Sequence, residues 1–278
     1  MRGVTLPVVE GRTLVHPGPV AADRIIAVPC IATHKYVTLR AGSTLLQAMT
    51  DAVGDAGAWF DLRDLPVAKL TFVRPALAPD DTHVAWYSDA RTLTDAMILR
   101  GGAHLGLRDG VSFAHVHGLW SDTDGGNHVG HLLAEATVLA RDHVVDVWIL
   151  TGALMNSVPD AETGFSLFCP IPTEPVARPN AVLAAIRPNL VIDDALAAIA
   201  AATDRPVVAF KGLGSLIGTR LEGEAGLQDH ATEVLLMDDM GQRVMSVGFV
   251  GSAVAGVLAS GVNRVCVTFE VLMLSDLA

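Results

Sequence analysis

Nine of the ten histidines lie at or before residue 143, and they are densest between Phe113 and Leu133. That stretch runs Phe113-Ala-His115-Val-His117, passes through Asp122 to Gly126, and continues His128-Val-Gly-His131-Leu-Leu. His115 and His117 are two apart in an apolar, strand-like run, so both imidazoles point to one face of a sheet. Asp122 to Gly126, rich in Asp and Gly, reads as a hairpin turn. The returning strand brings either His128 or His131 against the pair. Those two are three residues apart and fall on opposite faces of a regular strand. A register with a short odd-numbered loop sets His131 opposite His117 and leaves His128 on the other face. Three neutral imidazoles on one face suit Zn²⁺ or a similar borderline ion, one per chain, with water or a carboxylate as a fourth ligand.

Such a site with an open position lowers the pKa of bound water and polarises a carbonyl, which is the chemistry of a metal-dependent hydrolase or lyase. That alternative needs a general base, and Asp122, Asp124, Glu135 and Asp146 are the nearby carboxylates. Each also reads as an ordinary turn or surface acid. No Ser-His-Asp order and no nucleophile elbow occurs. Gly212-Leu-Gly214-Ser-Leu-Ile-Gly218 is Gly-rich, but its spacing misses both phosphate-binding motifs. Cys30, Cys169 and Cys266 are far apart with no Cys-x-x-Cys, so each reads as a buried hydrophobe in a reduced, cytoplasmic setting.

The elements that must carry these residues read as a repeated pattern. Tyr36 to Arg40 is strand-like, Gly42 and Ser43 supply a turn and an N-cap, and Thr44 to Val53 has helical spacing. In the second half Ala181 to Ile186, a turn at Arg187-Pro188-Asn189, and an Ala-rich helix from Ile192 to about Ala202 follow in the same order. Val144 to Leu150 resembles Thr268 to Leu274, with Asp146 and Glu270 in matching places. Short β-branched runs separated by turns fill the rest of each half. Asn156 to Asn180 holds Pro159, Pro170, Pro172, Pro175 and Pro179, a density that forbids a helix and marks a linker. The expected organisation is an N-terminal extension (1–34), a first domain with the histidines (35–155), a Pro-rich linker (156–179) and a second domain without them (180–278).

Composition narrows the function. The 278 residues suit two ordinary domains, and 51% hydrophobic content allows a sizeable core. A net charge of −11 with only 19 Lys and Arg argues against tracking nucleic-acid phosphates. The first twenty residues lack a continuous apolar run, so no signal peptide is expected. Val244 to Val262 is uncharged and long enough to span a membrane, but its four glycines and three serines predict two buried elements joined by turns.

The His-x-His strand, the Asp-Gly turn, Gly130-His131-Leu132-Leu133 and Asp146-Val-Trp-Ile149 resemble the PPC (plants and prokaryotes conserved) domain. The strand, turn and helix that open each half fit its beginning, and Phe210 to Leu216 resembles its glycine- and serine-bearing strand. The likeness covers about residues 35–153 and 180–275. It implies an α+β fold of two tandem PPC-like domains, each a curved, mainly antiparallel sheet flanked by helices. It also implies a homo-oligomer with three-fold or pseudo-three-fold packing, and a metal on His115, His117 and His131. Where the family has Gly-Gly-His, this chain has Val129-Gly130-His131. Glu233, Leu235 and Phe249 stand near the places of the second copy's missing histidines, so that copy reads as a structural partner. The role implied is a metal-binding module that binds a small molecule or regulates. Plant relatives join the domain to Arg-Gly-Arg-Pro segments that enter the minor groove. This chain has no such segment, so DNA binding would be inherited from the fold alone.

Overall fold

The structure is a computed structural model and describes residues 13–276. In chain order its elements begin with β1 (Ile25–Leu39), α1 (Leu45–Val53), β2 (Ala58–Val73), β3 (Pro75–Ala76) and β4 (Trp86–Tyr87). Next come β5 (Arg91–Arg108), β6 (Val111–Ser121), β7 (Asn127–Leu132), β8 (Val138–Leu139), β9 (His143–Thr151), β10 (Ala153–Pro159) and β11 (Ser166–Pro172). The second half holds β12 (Ala181–Ile186), α2 (Ile192–Ala201), β13 (Val207–Leu216), β14 (Thr232–Leu236) and β15 (Arg243–Val247). A 3₁₀ turn (Phe249–Gly251), β16 (Ala253–Val257) and β17 (Val265–Ser275) close the chain.

The expected α+β fold with flanking helices is not what forms. The protein is largely β, and the two α-helices among the described residues are only nine and ten residues long. The reason lies in what covers the sheets. Each helix packs on one core: Leu45, Ala48 and Met49 of α1 on the first, Ile192, Leu196 and Ile199 of α2 on the second. A third core lies where strands of the two halves face each other, built from Trp59, Val129, Leu150 and Met155 with Leu213, Leu235, Met245 and Leu272. Apolar faces that further helices would cover are buried sheet against sheet.

In the first half β2 pairs with β5, β5 with β6 and β6 with β7, and β7 returns to β2 at Leu132 and His131. Four strands thereby close on themselves around Phe72, Ile98 and Trp120, all fully buried. The β5–β6 connection is tight because Asp109 and Gly110 both have positive φ (53° and 78°). β9 joins the other end of β2 and pairs with β1.

β1 then belongs to two sheets. Ile31–Leu39 pairs with β9, whereas Ile25–Cys30 pairs with β12. From β12 the second sheet runs β17, β13, β14, β15 and β16. The proline-dense stretch 156–179 contains most of β10 and all of β11, a hairpin whose β10 runs parallel to β5. β11 is an edge strand, where Pro170 and Pro172 cost no ladder bonds to a further neighbour.

Thr44, one residue later than the expected cap, closes the N-terminus of α1 by accepting from Gln47 N at 3.2 Å. Val244–Val262 divides into β15, the 3₁₀ turn and β16, and no helix among the described residues is long and apolar enough to cross a membrane.

Candidate metal centre

β6 carries His115 and His117 on one face, and the β6–β7 register sets His131 directly opposite His117. Ring centroids of the three histidines lie 4.7 to 5.4 Å apart. The fourth member comes from the other half. Glu233 of β14 reaches across the seam, and its carboxylate pairs with Nε2 of His117. One ligating atom from each of His115, His117, His131 and Glu233 lies within 4.8 Å of all the others.

Two glycines make this approach possible. Gly102 of β5 stands opposite His117, and a Cβ there would come within 2.5 Å of Trp59 and 2.7 Å of Leu235. Gly130, just before His131, lies so close to β2 that a Cβ would sit 2.6 Å from the Val73 carbonyl. Leu235 and Trp59 fill the space that a side chain at Gly102 would take, and that packing draws the two halves together beneath the cluster.

The hydrogen bonds orient the rings. His117 Nδ1 donates to the Val234 carbonyl at 2.8 Å, which leaves Nε2 facing inward. Nε2 of His115 faces Nε2 of His117 at 3.1 Å. Glu270 of β17 lies 2.8 Å from His115 Nδ1, close but off the hydrogen-bond direction, so neither Glu270 oxygen has a directed partner. His131 Nδ1 is buried without one as well.

Charge follows from this packing. Burial pushes the His115 pKa down to about 3 and that of His131 well below the usual imidazole value; neighbouring histidines add to both shifts. Burial also opposes charging His117, but the Glu233 carboxylate and the Val234 carbonyl outweigh it and raise its pKa. Glu233 is lowered to about 2, because the three histidines overcome its own burial. Burial raises Glu270 to about 8. Burial thus keeps His115 and His131 neutral, while His117 and Glu233 favour a charged pair.

The remaining candidates lie elsewhere. His128 faces away, with Nδ1 accepting from Arg74 at 3.2 Å and Nε2 2.8 Å from Asp122. Asp122 ties down its own turn by accepting from Asp124 N and Gly126 N. Asp146 pairs with His34, and Asp124 and Glu135 are exposed. None of these four acids lies in the cluster. The two carboxylates that do stand there, Glu233 and Glu270, come from the half without the histidine motif. The one sequence signal for Glu233 was its place near a missing histidine.

A cavity of about 100 Å³ opens onto the cluster. His115, His131, Glu233 and Glu270 form its floor, and Trp86, Tyr87 and Phe165 stand at its rim.

No family model matches this chain, and no curated protein does. Among solved structures it is similar to a metal-containing protein of Archaeoglobus fulgidus (20% identity, TM-score 0.40, 50% of this chain and 94% of that one). It is also similar to a plant- and prokaryote-conserved (PPC) protein of Pyrococcus horikoshii (15% identity, TM-score 0.38, 58% of this chain and 100% of that one). A candidate DNA-binding protein of Ralstonia eutropha JMP134 is a third (15% identity, TM-score 0.38, 48% and 88%).

Proposed function

We propose that the chain binds one divalent metal ion, Zn²⁺ or a similar borderline ion, through His115, His117, His131 and Glu233, and uses the adjoining cleft to hold a small molecule. The observation that carries this reading is the convergence of four donor atoms, those of His117 and Glu233 on buried residues, within 4.8 Å of one another. Two of the inward nitrogens face each other at 3.1 Å, an arrangement that requires a proton or a cation between them. His117 holds its outward nitrogen on the Val234 carbonyl, which fixes the ring with Nε2 toward the ion. Bound there, the ion supplies a Lewis acid at the floor of the cleft.

The donor count favours a binding module over a hydrolase. Four protein donors satisfy a tetrahedral ion, so an oxygen from the cleft would add a fifth contact, whereas a catalytic zinc keeps one of four positions open for water. The hydrolase or lyase reading draws its support from Glu270, the acid beside His115 that also borders the cleft. A DNA-binding role has the acidic balance against it.

A tandem PPC-like architecture belongs to the same proposal. In both halves the opening strand pairs with a later strand, which in turn pairs with the strand after the helix: β1–β9–β2 and β12–β17–β13. Metal analysis of untagged protein tests the central reading. One equivalent per chain is the expected result, and its loss in Glu233→Ala would place the fourth donor in the second half.

A further inference from the structure

Arg108 ends β5 at the mouth of the cleft and has no carboxylate partner among the described residues. Its Nε donates to Ser157 Oγ at 3.4 Å, and its guanidinium lies flat over Phe113, 3.5 Å from the ring centroid. Those two contacts fix the plane of the group and leave both terminal nitrogens to a ligand. A planar, pre-oriented guanidinium of this kind matches a carboxylate, with two parallel N–H···O bonds.

The rest of the cleft describes the body of that ligand. Tyr87 and Phe168 line it along with Trp86, and Ser215 and Thr268 border it. A water needs roughly 10–15 Å³ of such room, so the volume accommodates a molecule of roughly seven to ten non-hydrogen atoms. Phe113 and His115 are two residues apart on one strand face, about 6.7 Å along β6. A flat ligand with its carboxylate over Phe113 therefore brings an oxygen at its other end to the histidines.

We propose that the cleft binds a small aromatic monocarboxylate, its carboxylate paired with Arg108, its ring against the aromatic wall and a para oxygen toward the histidine–glutamate cluster. The Arg108 anchor stands without any metal; the contact at the far end rests on the metal reading above.

The test is calorimetric titration of the purified full chain, with metal content measured on the same sample. The probe is 4-hydroxybenzoate, compared with 4-hydroxybenzamide, 4-methylbenzoate and inorganic phosphate. The acid should bind one per chain, at least about tenfold tighter than the amide or phosphate. Arg108→Gln should weaken it about tenfold while metal content and melting temperature stay unchanged. Amide or phosphate binding equal to the acid, an Arg108→Gln affinity within about twofold of the parent, or no binding at about 10 mM would each overturn the proposal. Equal affinity for 4-methylbenzoate and 4-hydroxybenzoate would count against the metal contact alone and leave the Arg108 anchor standing.

Discussion

His117 and Glu233 meet across the seam between the two halves, one on β6 and the other on β14, each with its polar end buried against the other. The next residue along, Val234, accepts from the second nitrogen of the same imidazole at 2.8 Å. One short segment of β14 thus both supplies a donor and orients a neighbour.

Substitutions at the cluster should separate its members from histidines nearby. His117→Ala and Glu233→Ala should each remove the bound metal, while His128→Ala should keep it near one equivalent per chain, as read by elemental analysis of desalted protein. A fully loaded His117→Ala variant would sink the assignment.

Gly102→Val should be destabilising in its own right. The new Cβ has no room between Trp59 and Leu235, and overpacking of this sort costs about 1–3 kcal/mol. Thermal unfolding should register the loss, and because the residue lies opposite His117, metal occupancy should fall with it. An unchanged melting temperature would mean that the seam is looser than the packing indicates.

The pair between Arg187 and Asp160 predicts a pH dependence away from the cluster. Burial alone would raise the Asp160 pKa, but Arg187 and the Thr163 backbone and hydroxyl outweigh it and lower it. A carboxylate with a depressed folded-state pKa contributes stability above its unfolded value of about 3.9, and that contribution is lost as pH falls through the folded value. Asp160→Asn should therefore cost about 2 kcal/mol at pH 7 and progressively less in acid. Equal penalties at pH 7 and pH 3, measured by urea denaturation, would exclude this origin.

Assembly is the fourth expectation. β11 ends the strand order with an edge that pairs with no further strand among the described residues, and open edges recruit further chains. Light scattering should give a multiple of 29.1 kDa, with three-fold or pseudo-three-fold packing. A 29.1 kDa species at micromolar concentration would dispose of it.

The relation of His131 to His117 was legible because it needs only strand periodicity and a short turn between Ser121 and Asn127. Glu233 was not, since a glutamate in Thr-Glu-Val-Leu-Leu carries no local mark of its partner. Only the packing of one sheet on another brings it to the histidines. Arg91, Asp95, Arg100 and the Gly101-Gly102 pair break the apolar pattern of β5, yet Gly102 admits Trp59 and Leu235. Proline density rightly excluded a helix from 156–179 and hid an edge hairpin. Helical spacing places both helices near their true limits, but it carries no sign that a facing sheet, and not further helices, covers the remaining apolar faces.

β1 gives six residues to one sheet and nine to the other. Peeling away the second sheet strips Ile25–Cys30 of its ladder and bares the core around Trp59 and Leu235, so partial opening gains little entropy for what it exposes. Loss of structure should accordingly spread through the entire chain in a single cooperative transition. Severing the polypeptide between the halves would yield two fragments that compete for the same strand, and neither would inherit a whole ligand set.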